Sequence, residues 1–249
     1  NRFFMSGSNG KWSPNGNKIA FTKKGEPNGT QIFVKYLGVE GDPTQITKLE
    51  KSPSNMEWSP DGKYIAFLMH VSSDPALKPI GVPDRPKGAK WTEAPNVIDQ
   101  VDYSQDRVGF LERGFSQLFI VPADGGTARQ ITFGEYDDVS GGITWTRDSK
   151  KIIFSSYQKP EAEYARGQSN LYSVDINNLE INELTAREGT ESSPKVSPDG
   201  TKVAFIDSTW SKNFYNDRKM YVMNIDGSDL KCVTSSLDQT PSSAFWAGN

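Results

Sequence analysis

The chain has 249 residues, with 28 lysines and arginines against 31 aspartates and glutamates and a net charge of −3. That balance gives no electrostatic reason to bind nucleic acid, and no apolar run approaches membrane-spanning length. A single cysteine, Cys232, rules out an internal disulfide, and 22 glycines suit a turn-rich all-β chain.

No signal segment is expected at the start. Residues 2–5, Arg-Phe-Phe-Met, read as the outer strand of an earlier unit or as a closing strand. The first full copy of a repeat then begins at Trp12-Ser-Pro-Asn-Gly-Asn-Lys-Ile-Ala-Phe21. Proline presets a turn φ, Asn or Asp tolerates the turn and bonds its own backbone, and glycine supplies a positive φ. The Ile-Ala-Phe that follows suits a half-buried strand. A second apolar run, Gln31–Tyr36, and a short strand ending at Ile-Thr47 complete four strands.

The same sentence recurs at Trp58-Ser-Pro-Asp61-Gly62, at Trp145-Thr-Arg-Asp148-Ser149 and at Val196-Ser-Pro-Asp199-Gly200, and begins once more at Trp246. The steps are 46, 87, 51 and 50 residues. Later strands end at Thr132, Thr185 and Thr234. One four-stranded meander cannot bury both faces, so copies must stack, and four strands per roughly 40 to 50 residues is the signature of a β-propeller. The expected fold is all-β: a partial propeller over residues 1–249, with four-stranded antiparallel blades at about 6–47, 52–132, 139–185 and 192–234, and one strand of a fifth at 240–246, leaving the ring open.

The long step holds an insertion, 69–116, about 48 residues between Leu68 and Gln117. Its first half carries Pro75, Pro79, Pro83, Pro86 and Pro95, which disfavours helix. Its second half, Val97–Tyr103 and Arg107–Glu112, looks like a hairpin around Ser104-Gln105-Asp106. Long insertions are where function or a domain contact concentrates. Polar loops at 157–169 and 207–218, the second with Trp210, Phe214 and Tyr215, complete the third and fourth units.

The repeats resemble the TolB-like, WD-type propeller repeat along the whole chain. Gly88-Ala-Lys-Trp91, Tyr103, Gly114-Phe115, and Leu118-Phe-Ile-Val-Pro-Ala-Asp-Gly-Gly126 followed by Arg129-Gln-Ile-Thr132 look like the propeller of prolyl oligopeptidase-family serine peptidases, the acylaminoacyl-peptidase-like branch in particular. In that family a propeller of seven or eight blades caps an α/β-hydrolase domain and filters substrates by size. The resemblance implies a non-catalytic portion of such a peptidase, a substrate-gating and peptide-binding cap whose hydrolase domain is absent from these residues. The partners it implies are that hydrolase domain and a peptide. The alternative is a TolB-like assembly module that holds a protein partner without enzymatic activity. A third reading, a propeller polysaccharide lyase, is opposed by the lone histidine. The compartment is left open between cytoplasmic and periplasmic or otherwise extracytoplasmic, for a bacterial-type soluble protein. Departures from the repeat are Ser149 in place of glycine and Val196 in place of tryptophan.

Catalytic residues are not expected in this chain. No Gly-x-Ser-x-Gly occurs, and the only histidine, His70, lies at a strand end with no partner for a triad or a metal site. No metal and no cofactor are implied. Asn224-Ile-Asp-Gly-Ser-Asp229 reads as a hairpin turn before it reads as a calcium loop. Trp12, Trp58, Trp145 and Trp246 read as packing between blades. Arg107 and Arg113 flank the insertion hairpin and could clamp a carboxylate. Glu161 and Glu163 lie where dipeptidyl-peptidase relatives grip a peptide amino terminus, but in Glu-Ala-Glu spacing. The open end faces suggest self-association.

Overall fold

A computed structural model describes residues 6–74, 85–90, 97–138, 142–165, 167–209 and 217–247. The first sheet orders β1 (Ser8–Trp12), β2 (Lys18–Lys24), β3 (Thr30–Tyr36) and β4 (Thr44–Gln45). The second contains β5 (Ser54–Trp58), β6 (Tyr64–Ser72), β9 (Gly114–Pro122) and β10 (Arg129–Gln130), and a separate small hairpin, β7 (Ser104–Gln105) with β8 (Gly109–Phe110), interrupts its sequence. The third has β11 (Ile143–Trp145), β12 (Lys151–Ser156), β13 (Asn170–Asp175) and β14 (Ile181–Glu183). The fourth has β15 (Thr190–Val196), β16 (Lys202–Ser208), β17 (Arg218–Asn224) and β18 (Lys231–Cys232). The only helical turn among the described residues is 3-10, Ala162–Tyr164. The architecture is the expected one: an open portion of a β-propeller.

Two local devices repeat in the blades. At the β1–β2 type turn a hydroxyl organises the chain. Ser59 Oγ donates to Asp61 Oδ1 at 2.7 Å and accepts the Tyr64 N–H at 2.9 Å. Ser13, Thr146 and Ser197 do the same with Asn15, Asp148 and Asp199. At the opposite end, the threonine closing each outer strand accepts a backbone N–H from the third strand. The four bonds are Ile32 to Thr47, Leu118 to Thr132, Leu171 to Thr185 and Met220 to Thr234, at 2.8–2.9 Å. These side chains satisfy backbone donors where the short fourth strand has run out.

A third device is invisible in the turn motif. Three residues before each Trp12-type position the innermost strand adopts a positive φ: Asn9 at 55°, Asn55 at 48°, Gly142 at 94° and Ser193 at 56°. The ladder slips there in three blades, between Ser8 and Lys11, Ser54 and Glu57, and Ser192 and Lys195, so each is a bulge that bends the strand. Ser149 is also left-handed, at 60°. Its hydroxyl accepts the Asp61 N–H at 3.0 Å across the blade boundary. The two serines should therefore respond differently. Ser193→Gly should stabilise by roughly 0.5–1 kcal/mol, because it relieves φ and the Ser193 hydroxyl bonds no described residue. Ser149→Gly should be near neutral, and Ser149→Ala should cost about 1 kcal/mol, because the Asp61 N–H loses its acceptor. Urea midpoints of the three variants check the order.

The core lies between sheets, not within one. Ile32, Val34, Ile65, Phe67 and Val121 join the first and second blades; Ala66, Leu118, Ile152, Phe154 and Val174 join the second and third; Ile153, Leu171, Val203, Phe205 and Met223 join the third and fourth. Phe67, Phe154 and Phe205, the same repeat position, are fully buried, each contributing about 1.5–3 kcal/mol. The tryptophans bind blades in series. Trp58 Nε1 donates to Lys11 O at 3.0 Å, Trp145 Nε1 to Glu57 O at 3.3 Å, and Trp246 Nε1 to Lys195 O at 3.0 Å. Val196 has no side-chain N–H to offer Thr144, so the third and fourth blades lack this link. Trp12, with no blade before it among the described residues, is 62% exposed.

Some details differ from expectation. The β6–β9 ladder runs unbroken from Tyr64↔Pro122 to Ser72↔Gly114, so the excursion begins after Ser72 and ends before Gly114, inside the expected 69–116. Its hairpin is shorter than expected and displaced: Ser104 and Gln105, expected in the turn, form β7, and the turn falls at 106–108, where Arg107 takes a φ of 67°. Residues 240–247 form no ladder, there being no fifth blade for them to pair with among the described residues; Trp246 anchors them instead. The opening apolar scrap at 2–5, most of the proline-rich half of the insertion with Trp91, and Trp210, Phe214 and Tyr215 lie outside the described residues.

Candidate functional site

The turns that follow the innermost strands gather at one end of the blades. There Trp58, Trp145, Pro14, Pro60, Pro198 and Val196 line a concave recess of about 720 Å³, together with Glu57, Asp61, Arg147 and Asp148. Most of its charges are already engaged. Glu57 pairs with Lys11 at 2.8 Å. Burial would raise the Asp61 carboxyl, but the Ser59 hydroxyl and the Lys63 N–H outweigh it and hold the group below its usual range. The Thr146 hydroxyl likewise lowers Asp148, and the Ser197 hydroxyl with Thr201 brings Asp199 to about 2. These carboxylates are turn components, ionised and occupied.

The opposite end carries the insertion and the third blade's polar loop. Arg113 is held from three sides: its Nε donates to Asp99 Oδ1 at 3.1 Å, and its guanidinium donates to Ser73 Oγ at 2.9 Å and to the Asp74 carbonyl. It ties the two ends of the excursion together. Glu163 accepts the Val101 N–H at 2.5 Å, which draws the third blade's loop against the second blade's insertion. Glu161 accepts only a long contact from Tyr157 OH, 3.5 Å. Arg107 is exposed at the hairpin tip. The structure thus brings Arg113 and Glu163 to the same inserted arm, each engaged by the chain itself, and leaves Arg107 and Glu161 outside that arrangement. Gly114 is where the arm rejoins the sheet. A Cβ there would sit 2.2 Å from Val71 O and 2.7 Å from His70 Nε2, so the His70 ring packs where only glycine fits.

Sequence reasoning missed a set of buried acids at this end. Glu191 and Asp207 side chains are fully buried and share one arginine. Arg187 reaches Asp207 at 2.9 Å and Glu191 at 3.7 Å, and its guanidinium stacks 4.1 Å from the Tyr221 ring centre. Thr185 Oγ1 bonds the other Glu191 oxygen. Burial pushes Glu191 up to about 7 and raises Asp207 as well. One junction earlier, Asp138 is buried beside Thr132, Gln158 and Ser156, and burial pushes it to about 6. In both junctions the blade-closing threonine touches the acid; in the first, Thr47 Oγ1 donates instead to Gln31 Oε1 at 2.9 Å. A signal existed in the fourth repeat. Asp207 stands where the other copies have Lys23, Met69 and Ser156, and Arg187 and Glu191 are spaced i, i+4.

Stacked meanders, shared hydroxyl turns and the indole chain define the class: an open β-propeller portion built from four-stranded repeats. The family model described as "Dipeptidyl peptidase IV (DPP IV) N-terminal region" matches residues 89–212, just under half of the chain. In sequence the chain is similar to the Tol-Pal system protein TolB of Francisella tularensis subsp. tularensis (strain WY96-3418), 27% identical over 118 residues, 47% of this chain and 25% of that protein. The match spans about a quarter of the length of these curated relatives. Among solved structures it resembles an acylaminoacyl peptidase in complex with Z-Gly-Gly-Phe-chloromethyl ketone, with TM-score 0.67, 16% identity, and coverage of 96% of this chain and 34% of that one. It also resembles a putative TolB from Agrobacterium tumefaciens, with TM-score 0.54, 20% identity, and coverage of 89% and 62%. At these identities the structural likenesses show the shared propeller fold.

Proposed function

We propose that the chain is the non-catalytic propeller portion of a prolyl oligopeptidase-like serine peptidase, a gate and peptide-binding cap for a hydrolase domain that these residues do not contain. The observation that carries this reading is the long arm after Ser72. It is grafted on one blade, pinned at its base by Arg113 and braced by Glu163 from the next blade. An insertion tied to two blades at the edge of a propeller can meet a second domain or narrow an entrance. The greater overlap with the acylaminoacyl peptidase than with TolB folds supports it. A fluorophosphonate probe on the full-length gene product tests it. Labelling of a serine in a Gly-x-Ser-x-Gly outside residues 1–249 is expected, and a full-length product that is neither labelled nor contains that pentapeptide overturns it.

The second reading, a TolB-like module that holds a protein partner without catalysis, is favoured by the sequence relatives, which are TolB proteins. In either case the exposed Trp12 and the 89% exposed Phe245 mark the two ends of the open stack. The isolated chain should associate as its concentration rises. Light scattering that reports a clean monomer at high concentration would remove the self-association expected of such ends.

A further inference from the structure

We propose that the turn between β2 and β3 is a site of self-modification, at which Asn28 loses ammonia to its own backbone and becomes aspartate or isoaspartate. The inference goes beyond the reading above and holds whichever parent the propeller belongs to.

The chemistry needs an asparagine followed by glycine, because no Cβ then screens the next backbone nitrogen. The chain has three such steps, Asn9-Gly10, Asn15-Gly16 and Asn28-Gly29. The glycine nitrogen attacks the asparagine Cγ and a nitrogen–carbon bond forms. The side-chain amide nitrogen leaves as ammonia, carrying the proton that the glycine nitrogen gives up, and a cyclic succinimide remains. Water then opens the ring at either carbonyl. One opening gives aspartate; the other gives isoaspartate, in which the side-chain carbonyl carries the backbone. Water is the only other reactant, and nothing is oxidised or reduced.

The fold withholds two of the three steps. In the β1–β2 turn both reacting groups are in use. Asn15 Oδ1 accepts the Ser13 hydroxyl at 2.9 Å and the Asn17 N–H at 3.3 Å, and the Gly16 N–H donates to Ser13 O at 2.9 Å. Asn9 and Gly10 lie inside β1, between the ladder pairs Ser8↔Thr22 and Lys11↔Ala20. The Asn9 amide donates to Thr22 Oγ1 at 3.4 Å. Breaking one such bond before attack slows a step by about 10-fold, the rate equivalent of about 1.4 kcal/mol.

Asn28 differs on every count. It is exposed in its turn. Its side-chain amide bonds no described residue, and neither does the Gly29 N–H. Other atoms hold the hairpin shut. The Gly25 N–H donates to Gly29 O at 3.0 Å, Gln31 Nε2 donates to Asn28 O at 2.9 Å, and the Glu26 N–H donates to Gln45 Oε1 at 3.0 Å. The Asn28 side chain therefore rotates toward Gly29 without breaking any of these. Gly29 stands in open space, where an added Cβ would meet nothing nearer than Ser52 Oγ at 3.9 Å, so water reaches the ring. The product adds one negative charge to a turn that follows Lys23 and Lys24.

The test incubates the chain of residues 1–249 in mildly alkaline buffer made with heavy-oxygen water, then moves it to ordinary water for digestion with trypsin. Cleavage after Lys11, Lys18, Lys24 and Lys35 leaves each Asn-Gly step in its own peptide for mass spectrometry. In the folded chain the Asn28 peptide should convert about 10-fold or more faster than the Asn9 and Asn15 peptides, with one heavy oxygen in the product. In urea the three rates should converge, because the protection at positions 9 and 15 comes from the fold. Asn28 no faster than Asn15 in the folded chain, a difference that persists in urea, or a product without heavy oxygen overturns the proposal. None of these outcomes bears on fluorophosphonate labelling of the full-length product, so this site and the peptidase reading fail separately.

Discussion

Raising the pH from about 5 to about 8 should weaken the fold, by on the order of 2–5 kcal/mol. The sign follows from two buried acids. In the unfolded chain Asp138 and Glu191 ionise near 3.8 and 4.5, and in the fold they hold their protons up to about 6 and about 7. Below the unfolded values both states are protonated and the contribution is fully present. As the pH climbs toward 7 the unfolded state sheds its protons first, and the native state must either keep a proton at growing cost or bury a charge. Arg187 cannot satisfy both carboxylates: it lies 2.9 Å from Asp207 and 3.7 Å from Glu191. The depressed turn aspartates act in a different window. Asp61, Asp148 and Asp199 stabilise above their unfolded values and lose that contribution as the pH falls through the acid range. Stability should therefore peak between about pH 4 and about pH 6. Urea unfolding across the range measures it. Glu191→Gln, which keeps the Thr185 contact, together with Asp138→Asn should flatten the alkaline limb. An unchanged limb in that double variant, or wild-type stability that rises from pH 5 to 8, would refute the assignment.

Trp145→Ala should cost about 3–5 kcal/mol, the largest effect of any single truncation in the tryptophan series. The side chain is 4% exposed and packs between the second and third blades. Its loss opens a cavity and leaves the Glu57 carbonyl without its donor. Trp145→Phe should cost about 1–2 kcal/mol, retaining most of the packing and losing the bond. Trp12→Ala, the same repeat position at the open end, should change stability by under about 0.5 kcal/mol. Equal losses at positions 12 and 145 would mean that the tryptophans act within their own blades and not between neighbours.

The architecture was legible because the turn fixes the phase of every strand that follows. Ser-Pro-Asp-Gly names the residues a tight turn needs, and the next apolar triplet then has only one place to go. Each threonine was visible as a landmark, but its task was not: that Oγ1 caps the third strand depends on how short the fourth strand is. The bulge escaped notice because Asn9, Asn55 and Ser193 share a backbone angle but not one residue type. The acids of the last blade junction, Glu191 and Asp207, lie on two different strands, and only the fold brings them, with Thr185 and Tyr221, to one arginine. At the candidate site, charge and position suggested Arg113 and Glu163. What sequence could not supply was that both already have partners within the chain.

The unbroken ladder from Tyr64 to Ser72 has a practical meaning. Nine residue pairs close before the chain departs, and it returns at the one glycine that fits under His70. The ladder is therefore complete without what lies between, and the inserted segment can be exchanged like a tool head on a fixed shaft. A relative with a different arm at this joint would present a different edge to its surroundings while the wheel of sheets beneath kept its shape.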